Sequence, residues 1–353
     1  EARRLEPGNF NANDQLAKLA LRQGDTSQAR LLYKEILIYH ENHLDSLLKL
    51  AKISALDKDE QAVVSYLQEA VHAHPTALEP RLVLGRYYQL TGSFEKVAPL
   101  LADLDEANRD RADVLQLMAA SQAGLKDFRG ARGNLERLTE LDPDSAETRF
   151  TLARICAELK DQNCAREALE AAIQIDPKLD TARLALARLL LLQRDEAEVE
   201  THLMVLKQNL PEHPDIIQLE SSLAMLQGDQ ERAMALSEKA LERSGRTERM
   251  LVLARQKKNM GDEAGALQLL EQWAEEHPDD LLAQKSLADA YLQAGRTDDA
   301  VDFYKKVVEI DSDNINSLNN LAWYLKEKKP REALSYARRA AELQPQSPLI
   351  QDT

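Results

Sequence analysis

The stretch Leu281–Asn314 reads LLAQKSLADAYLQAGRTDDAVDFYKKVVEIDSDN. It divides into two amphipathic helices joined by a tight turn. Leu287, Ala288 and Tyr291 in the first half, and Ala300, Tyr304 and Val307 in the second, recur at helical intervals. Such spacing puts them on the facing stripes of a helical hairpin. Gly295 stands where the first helix has to stop, because a left-handed residue just past a helix end carries no steric cost without a Cβ. The stretch is 34 residues long, and most of the chain repeats it.

The prolines give the phase. Pro7, Pro75, Pro143, Pro177, Pro211, Pro278 and Pro345 are separated by 68, 68, 34, 34, 67 and 67 residues. A fixed period of this kind marks stacked units, and proline falls just past a helix end because it cannot continue the hydrogen-bond ladder. Ten full units follow over residues 10–347, starting at Phe10, Leu44, Leu78, Ala112, Ala146, Asp180, Pro214, Thr247, Leu281 and Ile315. Residues 1–9 read as the end of a preceding unit, with Ala2, Leu5 and Pro7 in phase, and residues 348–353 as the start of a following one. Arrays end in polar capping elements. Neither end has that character, so the expectation is a piece of a longer array.

Aligned on this register, the eighth position is small throughout: Ala17, Ala51, Gly85, Ala119, Ala153, Ala187, Ser221, Ala254, Ala288 and Ala322. The twentieth, opposite it, is Ala or Val in every unit. Two small columns on facing helices imply close approach. The sixteenth position is Asp in seven units, Asp25, Asp59, Asp127, Asp161, Asp195, Asp229 and Asp262, where a carboxylate can accept the free N–H groups of the second helix. Pro330 replaces it in effect in the last unit, at a first helical turn that tolerates proline. Two departures are expected to show. Pro99 lies inside the second helix of the third unit, which predicts a bent or shortened helix. The seventh unit is one residue short and ends in Ser244–Arg246, SGR, which predicts a tighter or irregular joint.

These columns resemble the tetratricopeptide repeat (TPR) family. Leu84-Gly85 with Tyr88, Ala300 with Tyr304, and Ala172 with Pro177 carry the family pattern. The resemblance implies an all-α, right-handed superhelical solenoid of helix-turn-helix repeats whose first helices line a concave face. It also implies a protein-binding scaffold. The closing segment SLNNLAWYLKEKKPREALSYARRAAELQPQSPLIQDT is similar, more narrowly, to the long TPR proteins of Gram-negative envelopes that accompany exopolysaccharide export and PEP-CTERM/exosortase sorting.

Composition agrees with a helical array. Of 353 residues, 5% are aromatic, and only 12 are Gly and 12 Pro, which argues against strands and turns. No run of 18 apolar residues occurs, and Leu184–Leu192 is interrupted by Arg188, so no membrane span is expected. The first residues show no basic, apolar leader. A net charge of −15 argues against nucleic acid as a partner; the bland reading of that charge is a solvated surface.

Nothing in the pattern points to catalysis: there is no Gly-rich phosphate loop, nucleophile elbow or HExxH, and no cofactor is implied. His40/His43 and His72/His74 invite a metal reading, but His40, His74 and His277 share position 31, where Asp142, Asp176 and Asp311 stand elsewhere. That column marks a helix end, so no metal site is expected. Cys156 and Cys164 are the only cysteines, at positions 11 and 19 of one hairpin. They read first as two reduced thiols, with a disulfide across the turn as the alternative in an oxidising compartment.

The functional signal lies on the face assigned to the groove. Position 9 is basic at Lys18, Lys52, Arg86, Arg154, Arg188 and Arg255. Position 2 is acidic at Asp45, Glu79, Asp113, Glu147, Asp215 and Glu248. Position 5 between them is often apolar, as at Leu48, Leu82, Phe150, Leu184 and Leu251. One reading is a ladder of salt bridges between neighbouring first helices. The other is a charged groove for an extended acidic or carboxylate-bearing protein or peptide. The family's carboxylate clamp and its position-6 Asn ladder are both absent. Asn319, Asn320 and Trp323 complete the candidate partner-binding set; the asparagines either meet a partner's backbone or satisfy local helix-start groups.

The expectation is therefore a non-catalytic interaction scaffold. Three settings are consistent with it: a periplasm-facing or outer-membrane-associated scaffold in polysaccharide export or surface sorting, a cytoplasmic TPR adaptor, or the regulatory array of a larger enzyme.

Overall fold

The computed structural model describes residues 9–344. Among them are 21 α-helices, one short 3-10 turn and no strand. Chain packing divides between Ala182 and Arg183 into two compact bodies.

In the first body the hairpins are α1 (Phe10–Arg22) with α2 (Thr26–Tyr39), and α3 (Leu44–Leu56) with α4 (Glu60–Ala73). Then come α5 (Leu78–Leu90) with the fragments α6 (Val97–Leu101) and α7 (Glu106–Arg109), α8 (Ala112–Gly124) with α9 (Phe128–Leu141), and α10 (Ala146–Glu158) with α11 (Gln162–Ile175). The division falls inside α12 (Asp180–Gln193), whose partner is α13 (Glu196–Asn209). The second body continues with α14 (Pro214–Leu226) and α15 (Gln230–Ser244), α16 (Thr247–Asn259) and α17 (Glu263–Glu276). It ends with α18 (Leu281–Gln293) and α19 (Thr297–Ile310), and α20 (Ile315–Leu325) and α21 (Pro330–Leu343).

Each second helix starts where its sequence says it should. All seven position-16 aspartates are N-caps, as in Asp127 accepting from Gly130 N at 3.0 Å and Asp262 from Gly265 N at 2.8 Å. Pro330 occupies the first turn of α21. In the first nine hairpins the turn holds a left-handed residue one step earlier; the shortened turn before α21 does not, with Lys329 at φ −141°. Gly295 has φ +76°, and its turn is closed by Gly295 N donating to Leu292 O and Arg296 N to Tyr291 O, at 3.0 and 2.8 Å. Lys58, Lys126, Lys160 and Arg194 take the same conformation with φ between 58° and 61°.

The two small columns form the hairpin seams. Position 8 is buried in every unit, and so is position 20, from Ala29 at 0% exposure to Ala266 at 6%. A Cβ at Gly85 would lie 2.6 Å from the tip of Leu117, so a larger residue there requires that side chain to shift. In the second body the core packs Leu287, Tyr291 and Tyr304 against Met250 and Leu321 from the adjoining hairpins.

The departures are local. Around Pro99 the expected second helix is a 3-10 turn (Phe94–Lys96) followed by the five-residue α6. Ser93 at the cap position makes no side-chain cap bond. Arg81 holds this broken unit together. The residue is 5% exposed, and its guanidinium donates to Leu100 O at 2.6 Å and Pro75 O at 3.0 Å and makes a two-pronged pair with Asp103. At Ser244–Arg246, α15 runs to Ser244 and stops on Gly245 at φ +57°, whose N–H donates to Leu241 O at 2.8 Å.

The cysteines differ from the first expectation. Cys156 and Cys164 form a disulfide, with Cα atoms 5.8 Å apart. Position 11 of the first helix and position 19 of the second face each other across the seam, which the numbering alone did not reveal. The readings of residues 1–9 and 348–353 as parts of flanking repeats fall, apart from Asn9, outside the described residues; Asn9 caps α1 by accepting from Ala12 N at 3.0 Å.

Candidate interaction face

The position-9 side chains project from the middle of each first helix, on the side away from its second helix. The small residue at position 8 sits in the seam, so its neighbour is turned outward by one helical step. Lys18, Lys52, Arg86 and Arg154 in the first body, and Arg188 and Arg255 in the second, are all exposed.

Their partners separate them. Lys18 pairs within its own helix with Asp14 at 2.7 Å, and that hydrogen bond raises its ammonium above the usual lysine range. Arg188 pairs with Asp215 at 2.9 Å, the one rung of the expected ladder among the described residues. Asp215 is also held by Arg249 and His213. Burial pushes its carboxyl up, but the charges of Arg249 and Arg188 outweigh burial and the net direction is down. Lys52, Arg86, Arg154 and Arg255 make no ion pair among the described residues. The ladder reading thus fails at five of six positions, Lys18 having turned to its own helix. The reason is local: Asp45 turns to Lys49 of its own helix at 3.6 Å, and Asp113 to Arg111 at 2.9 Å.

Two clefts on this face carry position-9 cations unpaired among the described residues. In the first body, α3 and α5 enclose about 400 Å³ with Lys52 and Arg86 on its rim and Leu48, Val83 and Tyr87 inside. Burial raises the Tyr87 hydroxyl above the ordinary phenol value. In the second body, α16, α17 and α18 enclose about 530 Å³ around Arg255 and Lys258, floored by Leu251, Leu267 and Leu270. Clefts of this size are in the range that accommodates side chains of a ligand.

The remaining candidates are spread. Phe150 is half-buried. Asn319 and Asn320 are half-buried on α20. Trp323 is 48% exposed with the Lys326 ammonium 3.2 Å from its ring centre, a cation–π contact. The histidines of position 31 end their helices: His40, His74 and His277 are C-caps. Among the described residues no group of three or more His, Cys, Asp or Glu is arranged to hold a metal. No described helix is long and apolar enough to cross a membrane.

One part of the face escaped the sequence reading. Leu56 and Leu90, at position 13, are 63% and 85% exposed beside the first cleft, and Leu192 is 76% exposed. The signal was present, since the same column holds Arg22, Glu158, Asn259 and Gln293 in other units.

Comparison with known proteins agrees with the repeat. Tetratricopeptide repeat models match residues 15–77, 117–180 and 259–322, together more than half of the chain. No curated protein sequence matches. Among solved structures, a tetratricopeptide repeat protein from Parabacteroides merdae is 17% identical with a TM-score of 0.56, over 70% of this chain and 98% of that one. Yeast Tom70 is 13% identical with a TM-score of 0.55, over 94% of this chain and 91% of that one. Identities this low speak for the fold alone. With the period, the two small columns, the capped hairpins and the matching models together, the chain belongs to the tetratricopeptide repeat family, whose repeats serve as protein-interaction scaffolds.

Proposed function

We propose that this chain is a non-catalytic scaffold that holds a segment of a protein partner on its first-helix face, taking the partner's carboxylates with position-9 cations. The observation that carries this reading is that Lys52, Arg86, Arg154 and Arg255 are exposed and without an ion pair among the described residues, in a chain of net charge −15. Cations held at one register beside apolar clefts offer charge-assisted hydrogen bonds together with apolar burial. Arg188 and Lys18, already paired, serve stability on this reading.

The test is binding of acidic peptides to the full chain at low and physiological salt. Lys52→Glu with Arg86→Glu abolishes binding while thermal stability stays level; Arg188→Glu lowers stability because it breaks the pair with Asp215 and leaves two acids facing. Binding that survives the double reversal overturns the proposal.

A second reading concerns the setting. The disulfide between Cys156 and Cys164 favours an oxidising compartment, in line with the resemblance of the closing segment to envelope proteins of exopolysaccharide export and surface sorting. A cytoplasmic adaptor, or a regulatory array of a larger enzyme in the cytoplasm, would carry two thiols. Trapping thiols in intact cells before lysis separates these: an unmodified, oxidised pair supports the envelope, and an alkylated pair overturns it.

A further inference from the structure

The cleft between α3 and α5 has two edges of opposite sign. Both helices present the same register: acids at position 2, Asp45 and Glu79, and cations at position 9, Lys52 and Arg86. Seven helical residues separate the two rows, which is about 10 Å along the helix axes. Between and beside the rows lie Leu48, Val83 and Tyr87, and Leu90 stands 85% exposed at the far end. Lys49 shares Asp45 at 3.6 Å, while Glu79 has no ion-pair partner among the described residues.

The width decides the occupant. An extended chain occupies roughly 5 Å between neighbours and would meet one edge only. If it lay along the cations, its carboxylates would leave Glu79 and the apolar floor uncovered. An α-helix with its side chains is about 10–12 Å across, which matches the distance between the rows. We infer that the cleft of residues 45–90 receives an amphipathic α-helix of the partner, apolar stripe inward, with acidic residues on the flank over Lys52 and Arg86 and basic residues on the flank over Asp45 and Glu79. This inference rests on the scaffold function proposed above and adds to it the conformation and the two-sided charge of the partner segment. Apolar anchors recurring every three or four residues enter the space above Leu48, Val83 and Tyr87, and the opposed flanks fix which way the helix lies. A partner acidic on both flanks would bring carboxylates against Glu79, a like-charge contact that costs specificity.

The experiment is selection of a displayed library of random peptides, roughly 18 residues or five helical turns long, on the full chain. Selected sequences carry apolar residues at helical spacing with Lys or Arg on one flank and Asp or Glu on the other. They lose about tenfold or more in affinity, 1.4 kcal/mol per tenfold, against the Lys52→Glu/Arg86→Glu protein. In the Asp45→Lys/Glu79→Lys protein the selected basic flank becomes acidic. Acidic sequences without a helical period, still lost on reversal of Lys52 and Arg86, overturn the helix and leave the scaffold proposal standing. Selection insensitive to both pairs of substitutions overturns both.

Discussion

The hydroxyl of Tyr304 donates to the carboxylate of Asp289 at 2.5 Å, joining the two helices of the hairpin that α18 and α19 form. Asp289 stands in the column that is basic in six earlier units, and Lys285 pairs with it on the other side at 2.9 Å. Burial, then the Asp289 hydrogen bond, hold the Tyr304 hydroxyl well above the usual phenol range. The acid therefore ties the two helices of its own hairpin together. Tyr304→Phe should lower stability by about 1 kcal/mol, the net worth of one such bond. Asp289→Lys should cost more, since it strands the hydroxyl and faces Lys285 with a like charge. Urea unfolding of both variants checks the order.

Arg81 is the support of the unit that Pro99 breaks. Replacing it with Leu leaves the carbonyls of Leu100 and Pro75 without their donor and frees Asp103, which is already largely exposed. The expected loss is about 1.5–3 kcal/mol, the range for hydrogen bonds made by a charged group. Amide hydrogen exchange should quicken first across residues 94–111, before the flanking helices respond.

Acid should loosen the second body through two carboxyls. Burial raises Asp215 and Glu220, but Arg249 and Arg188 for the first, and Lys207 and Arg232 for the second, bring both below their ordinary values. A carboxyl depressed in the folded state adds stability above its unfolded value, about 4, and that stability is lost as pH falls through the lower folded value. The urea midpoint should therefore drop below about pH 4. In a protein carrying Asp215→Asn and Glu220→Gln it should be lower at neutral pH and flatter in acid.

The seventh unit has a polar seam. Ser221 Oγ donates to Ala233 O at 2.7 Å and contacts Ser237 Oγ at 2.7 Å, while Gln218 and Gln256 donate to these serines at 3.2 and 3.1 Å. The amide oxygens of both glutamines are buried without a hydrogen-bond partner. Position 5 is Leu or Phe in several other units, so Gln218→Leu removes an unsatisfied acceptor and restores the common residue. The melting temperature should hold or rise; a clear fall would mean that the amide is better satisfied in solution than its surroundings indicate.

Helix boundaries were legible because each is set by a residue acting locally. Aspartate at position 16 caps whatever packs beyond it, and Pro99 shortens its helix in any context. The small columns were legible because close approach excludes a large side chain at every repeat. What the sequence left open depended on side-chain choice among alternatives. Asp45 had Lys49 one turn along its own helix and Lys18 on the preceding first helix, and the nearer turn won. Arg188 found Asp215, while Arg154 at the same position found no acid. The disulfide was open because positions 11 and 19 say nothing of distance until the crossing of the two helices is known.

The left-handed turn residue recurs at one position, and at Lys58, Lys126, Lys160 and Arg194 it carries a Cβ that this conformation penalises. Each substitution to Gly should relieve about 1 kcal/mol of strain. The four sites lie in different hairpins, too far apart in sequence to share a turn, so their effects should sum. The chain thus carries a graded dial. Proteins with one, two, three or four of these glycines should form an evenly rising series in resistance to urea, ordered by how many were changed and indifferent to which.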